Sequence, residues 1–229
     1  MAKRGVFVVI EGLDRSGKST QSQRLFEHLQ EKTGKARLLK FPDRTTAIGK
    51  MIDGYLRSES DLDDRAIHLL FAANRWECAA SIERDLLAGT SIVCDRYAFS
   101  GIAFSAAKVA VSKSSEGNEV RESILTYEWC KSPDTGLPAP DMVIFLDVTP
   151  EVARSRGGYG EERYEKEETQ LRVKEQFRKI EQDVVKNFTG IEWWNLDASK
   201  SLDEISESIR NLVALPSDGV PANINKMWM

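Results

Sequence analysis

The chain of 229 residues has only three cysteines, Cys78, Cys94 and Cys130, and no two lie close together. That spacing excludes a disulfide-stapled scaffold and a cysteine-based zinc site, so all three read as reduced, structural residues. Histidine is scarcer still. His28 and His68 stand alone in helical patterns, without metal-ligand spacing, and read as packing or surface residues. No apolar run is longer than a strand needs, so no segment is expected to cross a membrane. The opening "MAKRG" leads straight into a strand pattern, with neither a signal-peptide apolar core nor an Arg/Ser-rich transit stretch. An excess of positive charge is missing too: a formal net charge of −4 offers no surface for coating a nucleic acid. No internal repeat or dividing linker is visible, so a single domain over 1–229 is expected.

What is present is alternation. Apolar runs at Val6–Ile10, Ala36–Phe41, Ser91–Asp95, Met142–Val148 and Glu192–Leu196 are separated by helical periodicity. Around 62–88, Ala66, Leu69, Leu70 and Ala73 share one helix face. In 164–188, Val173, Phe177, Ile180 and Val184 do the same. "SLDE" at 201–204 is a capping box ahead of Leu202, Ile205, Ile209 and Leu212. Strands alternating with helices predict an α/β fold, a five-stranded parallel sheet covered by helices on both faces. Ligands of such a sheet sit beyond the carboxyl ends of its strands. Two stretches break the pattern. Residues 109–122, rich in Ser, Glu and small side chains, read as a solvated surface insertion, and 216–229 as an irregular tail that Trp228 pins to the surface.

The first strand run leads into "GLDRSGKST", where Gly12, Gly17, Lys18 and Ser19 match the P-loop spacing, with strand before and helix after. Such a turn aims backbone N–H groups at an anion on a helix N-terminus. Lys18 is suited to reach the β and γ phosphates, and the Ser19 hydroxyl to take Mg²⁺. A P-loop alone does not choose between a switch, a motor and a kinase. The Asn-Lys-x-Asp motif of guanine switches is absent; the one Asn-Lys pair, Asn225-Lys226, lies in the tail.

The rest of the pattern is a set of arginines and aromatics at strand ends and in helices. These are "FPDR" at 41–44, "LLFAANRWE" at 69–77, "DRYAFSG" at 95–101 and "SRGGYGEERYE" at 155–165. Asp95, ending a strand beside the P-loop, fits a magnesium-water partner. Phe71 and Arg75 share a helix face, so one can stack on a base while the other bonds its edge; core packing is the competing reading of Phe71. The glycine-rich 155–165 segment reads as a closing lid or a plain surface loop.

Together "GLDRSGKST", "FPDR", "LLFAANRWE", "DRYAFSG" and "ERYE" resemble the thymidylate kinase family, in its eukaryotic form with an arginine in the P-loop. "LPAPD" at 137–141 and "DASKS" at 197–201 also fit, and the likeness runs from about residue 5 to about residue 213. The resemblance implies ATP-dependent phosphorylation of dTMP to dTDP with Mg²⁺, in a cytoplasmic homodimer, with a nuclear pool left open. It implies that Gly12, Arg15, Ser16, Gly17, Lys18, Ser19 and Thr20 hold the ATP phosphates, with Arg156, Ala198 and Ser199 near adenine. Ser19 and Asp95 would serve the metal. Arg15, Lys18, Asp14 and Arg96 would carry the transfer. Asp14 would take the acceptor 3′-hydroxyl, and Arg44 and Arg96 its phosphate. Phe71 would stack on thymine, and Arg75 and Ser100 would read its edge. Phe104 would crowd C2′, and Phe41, Pro42, Gly101 and Tyr164 would complete the pocket. A kinase for another nucleoside monophosphate and an inactive nucleotide-binding relative are the alternatives.

Overall fold

The computed structural model describes residues 4–113, 119–156, 163–164, 167–213, 220 and 222–229. The strands and helices in chain order are β1 (Phe7–Gly12), α1 (Lys18–Thr33), β2 (Ala36–Lys40), α2 (Ala47–Leu56), α3 (Asp64–Leu87), β3 (Ser91–Asp95) and α4 (Ala98–Ala106). Then come β4 (Val109–Lys113), β5 (Glu119–Ser123), α5 (Tyr127–Lys131), β6 (Met142–Asp147), α6 (Pro150–Ser155), α7 (Glu167–Asn187), β7 (Glu192–Asp197) and α8 (Leu202–Leu212). Five strands form a parallel sheet in the order β2-β3-β1-β6-β7.

The sequence of each strand matches its place. β1, β3 and β6 are apolar throughout most of their length and almost wholly buried, as central strands covered on both faces must be. The edge strands β2 and β7 keep exposed positions. Of the helical faces, Val173, Phe177, Ile180 and Val184 of α7 are all buried against the sheet. The capping box of α8 forms as expected: Ser201 accepts from the Glu204 N–H and Glu204 reaches back to the Ser201 N–H. On α3 the expected apolar face is only partly the inner one: Leu70 packs on the cluster of Ile52, Tyr55, Leu56 and Ile67. The inner face of α3 is Ile67, His68, Ala72, Asn74, Arg75, Ala79, Ile82 and Leu86, whereas Ala66 and Leu69 point outward. Composition identifies a helix there but not its inner side, because both faces carry apolar residues.

The register aligns the functional edge. Lys40 pairs with Asp95, Asp95 with Ile10, and Gly12 with Leu146, so the carboxyl ends of β2, β3, β1 and β6 open at one level. Chain order steps to one side of β1 for β2 and β3, then to the other for β6 and β7. Such a reversal creates the crevice in which open α/β sheets bind ligands.

Two stretches carry more order than their composition suggests. Within 109–122, expected as a surface insertion, β4 and β5 pair antiparallel, Val109 with Ser123 and Lys113 with Glu119, as a hairpin apart from the main sheet. The alternation in "VAVSK" and "EVRES" signals it, but the polar composition hides it; residues 114–118 lie outside the described part. The tail is likewise ordered at its end. Asn225 and Met227 exchange backbone hydrogen bonds with Gly136, Leu137 and Ala139, each 2.8 Å. Met227 is buried, and Trp228 meets Phe99 and Phe188 edge-on. Of the lid, residues 157–162 and 165–166 lie outside the described part, as do 214–219 and 221.

Candidate active site

The P-loop connects β1 to α1, and its backbone is the kind only a special loop adopts. Gly12 and Gly17 have φ of 148° and 94°, and a Cβ at Gly12 would come within 2.6 Å of the Leu146 carbonyl. Arg15 (φ 65°) and Arg96 (φ 69°), both non-glycine, also sit in the left-handed region, where strain tends to gather at functional sites. Beside this loop opens a polar cleft of about 890 Å³ lined by Arg15, Gly17, Lys18, Ser19 and Thr20 of the loop, together with Lys40, Arg44, Asp95 and Arg96. Five cations face two carboxylates there, Asp14 and Asp95, which suits a polyanion. Burial, then the Arg96 charge, pushes the Lys18 ammonium down to about 7. Its Nζ meanwhile donates to the Leu13 carbonyl at 2.5 Å.

Within the cleft, Ser19 Oγ donates to Asp95 Oδ2 at 2.5 Å, and Lys40 Nζ lies 3.1 Å from Ser19 Oγ and 3.5 Å from Asp95 Oδ2. Asp95 Oδ1 is buried and makes no hydrogen bond to a described residue. A buried carboxylate oxygen left open beside a P-loop serine is a donor set that suits a hard, water-carrying cation. Lys40, at the end of β2, is a neighbour the sequence reading missed.

The second cleft adjoins the first and is of another kind. Its volume is about 620 Å³, nucleotide-sized, and its walls are mainly aromatic and apolar: Phe41, Pro42, Leu56, Phe71, Tyr97, Phe104 and Tyr164. All eleven residues expected at the acceptor line it, including Asp14, Arg44, Arg75, Arg96, Ser100 and Gly101. Phe71 therefore faces the cleft, beside the small cluster of Ile52, Tyr55, Leu56 and Ile67. Asp14, Phe41, Pro42, Arg44 and Arg96 line both clefts and form the seam between them.

The seam is a charged network. Arg96 pairs with Asp14 and donates to the Gly12 carbonyl at 3.3 Å and to Ser100 Oγ at 3.0 Å. Burial alone would raise Asp14, but Arg96, Lys18 and a hydrogen bond from Gln170 hold its carboxyl below the usual range. Gln170, on α7, donates to Asp14 Oδ2 and to the Tyr164 carbonyl, tying seam to lid. Arg44 pairs with Asp53 at 2.7 Å. Arg156 bridges the Arg15 and Ala198 carbonyls at 2.8 and 2.5 Å, so it joins the P-loop to the loop after β7. Ala198 is fully buried and takes part through that carbonyl, while Ser199 bonds Asp197. Gly12 and Ser16 shape the loop from beneath rather than line a cleft.

Two buried carboxylates behind the second cleft escaped the sequence reading. Glu11, the residue before the P-loop, accepts from the Tyr97 and Ser100 N–H groups and from Ser100 Oγ. Asp134 holds Arg75 with two bonds, to Nε at 2.8 Å and to Nη2 at 2.6 Å. Burial raises both acids above the ordinary range, and hydrogen bonds and the neighbouring arginines pull back against it.

The chain is similar to known proteins of one family. A family model described as thymidylate kinase matches residues 10–209. A thymidylate kinase of Schizosaccharomyces pombe is 52% identical over 92% of this chain and 92% of its own length. One of Homo sapiens is 44% identical over 92% and 91%. The solved thymidylate kinase of Candida albicans superposes with a TM-score of 0.83 at 36% identity, covering 99% of this chain and all of the other. The chain belongs to the thymidylate kinase family.

Proposed function

We propose that this chain transfers the γ-phosphoryl group of ATP to dTMP, giving dTDP and ADP. The observation that carries the reading is the pair of clefts sharing Asp14, Arg44 and Arg96: one polar and cationic over a P-loop, the other aromatic and sized for a nucleotide. Family membership supplies the substrates.

In this reading the P-loop backbone, Lys18, Ser19 and Thr20 hold the triphosphate, and Arg156 with the carbonyl of Ala198 and the neighbouring Ser199 borders the adenine. Asp14 takes the acceptor 3′-hydroxyl, Arg44 and Arg96 its phosphate. Phe71 stacks on the base, Arg75 and Ser100 meet its edge, and Phe104 lies against the sugar. Ser19 and, through water, Asp95 would hold Mg²⁺, which would supply positive charge to neutralise the transferring phosphoryl group. No general base is needed. A phosphate monoester has a second pKa of about 6, so the acceptor oxygen is already unprotonated at neutral pH. What remains is to align two anions and stabilise charge as it spreads in the transition state, the task of Lys18, Arg15, Arg44 and Arg96. The chain acts as a homodimer in the cytoplasm.

The test is a panel of nucleoside monophosphates with ATP, followed by ADP release. dTMP is expected to give the highest kcat/KM; a purine monophosphate or dCMP giving a higher value overturns the reading.

A further inference from the structure

The two polar groups proposed to read the base edge are each fixed from behind by a carboxylate that solvent does not reach. Arg75 is itself buried, and Asp134 occupies its Nε and Nη2. Its Nη1 makes no hydrogen bond to a described residue, so the donor capacity left over belongs to the cleft that Arg75 lines. Gly101 of α4 is the floor of this socket: a Cβ there would stand 2.7 to 3.0 Å from Nη2, Nη1 and Cζ, closer than any side chain tolerates. The Asp134 segment is itself held, since the Trp76 indole donates to the Pro133 carbonyl and the chain end pairs with Gly136–Ala139.

Ser100 is fixed in the opposite sense. Its hydroxyl has a single proton, and that proton goes to Glu11 Oε2 at 2.5 Å. One lone pair accepts from Arg96 Nη1 at 3.0 Å. Toward the cleft the oxygen can only accept. Glu11 keeps it so, because its other oxygen is taken by the Tyr97 and Ser100 N–H groups at 2.9 and 3.1 Å.

The cleft thus presents one donor, from Arg75, and one acceptor, on Ser100. A 4-oxo pyrimidine offers the complement, an acceptor at O4 and a donor at N3–H. A 4-amino pyrimidine offers the reverse at both atoms. We propose that Glu11 and Asp134 are positioning residues that set the hydrogen-bond polarity of the base site, so that it takes 4-oxo pyrimidines and rejects 4-amino ones without either carboxylate touching the substrate. The proposal rests on the reading of Arg75 and Ser100 as base contacts.

Steady-state kinetics with saturating Mg·ATP test it, comparing dTMP with 5-methyl-dCMP, which differs only in the 4-amino group and the unprotonated N3. Asp134→Asn is expected to raise the dTMP KM about ten-fold with kcat within about three-fold, and to lower the dTMP preference about ten-fold. Glu11→Gln makes a sharper case. Its amide oxygen must face the two backbone N–H groups, so its NH₂ faces Ser100 and turns the hydroxyl proton into the cleft. dTMP is then expected to lose, and 5-methyl-dCMP to gain in absolute kcat/KM. A merely structural role would lower both acceptors alike, and that outcome overturns the proposal. So does an unchanged preference in the folded variants. Arg75→Ala separates the two levels: if it loses the preference while Glu11→Gln and Asp134→Asn keep it, the positioning role falls and the base reading stands. If Arg75→Ala also keeps it, the base reading itself fails. Should the carboxylate variants not fold, Gly101→Ala displaces the guanidinium without changing charge, in a helix that favours alanine. It is expected to lower the preference, and an unchanged preference overturns the proposal.

Discussion

Arg15 holds a left-handed backbone in a loop whose other such positions are glycines, and its carbonyl is bonded by Arg156. The P-loop pattern leaves this position open, so the side chain rather than the backbone is what the arginine adds. Arg15 lines the polar cleft together with Lys18, where, in the proposed reaction, negative charge would move toward the bridging oxygen as the γ-phosphoryl departs. A cation placed there binds the transition state better than ground-state ATP. Arg15→Gly is the clean substitution, since glycine adopts a φ of 65° without strain and the loop keeps its course. It is expected to lower kcat by about 10²–10⁴, with Lys18 and the metal retained. The dTMP KM is expected to move little, and Arg15→Lys to rescue in part, because an ammonium lacks the two-pronged donor. A kcat loss under about three-fold in the folded variant, at saturating Mg·ATP, would assign Arg15 to the solvated surface. Residues like this one, inside a motif of fixed spacing, were legible in the sequence. Glu11, Asp134, Lys40 and Gln170 were not. Each acts through a partner far along the chain, Asp134 on Arg75 and Gln170 on Asp14, and no local pattern marks such a pair.

At the scale of elements, the strands and most helix faces were legible because central strands read as apolar runs and α7 has a single buried stripe. The hairpin of β4 and β5 and the docking of the chain end were not, since both depend on pairing rather than composition. His68 shows what such packing does to a side chain. It rises from α3, pairs with Ser105 Oγ of α4 at 2.8 Å and with the Cys130 carbonyl of α5 at 2.8 Å, and so ties three helices together. Burial, and next the Arg75 charge, push its pKa down to about 4. The unfolded chain, with an ordinary value of about 6.5, therefore takes up this proton first as the pH falls. Stability from the neutral histidine is complete above 6.5 and is lost as the pH drops from 6.5 toward 4, by about 2 kcal/mol at pH 4.5. His68→Gln can keep both hydrogen bonds and has no proton to gain. Urea denaturation at pH 7 and pH 4.5 is expected to show a smaller acid loss in His68→Gln than in the parent by that amount. Equal losses would mean that His68 titrates normally in the fold.

At the scale of the whole molecule, α3 carries a row of exposed apolar side chains among the described residues. Leu69, Trp76 and Leu87 of α3 are 47%, 43% and 61% exposed. Steps of seven and eleven residues along a helix return to within about 20° of the starting direction, so the three form one straight stripe. Ala73 and Ala80 lie on the same side, spaced four and three residues apart as in a helix–helix seam. Met51 of α2 is also exposed, at 52%. This explains why Leu69 misleads as a sign of the inner face: α3 carries apolar residues on both its buried and its exposed side. A second copy fits the exposed side best, because a helix seam of small and large residues is self-complementary about a two-fold axis. The same helix carries Phe71 and Arg75 on the cleft side, so a dimer through α3 would stiffen the wall on which the base is proposed to stack. The chain is therefore expected to sediment as a dimer. Leu69→Glu combined with Leu87→Glu puts charges on a seam that should bury roughly 800 Å² per partner. Leu69 and Leu87 are both exposed in the single chain, so its fold should tolerate the change. The variant is expected to sediment as a monomer with unchanged far-ultraviolet circular dichroism and a raised dTMP KM. A variant that remains dimeric would move the interface to another face.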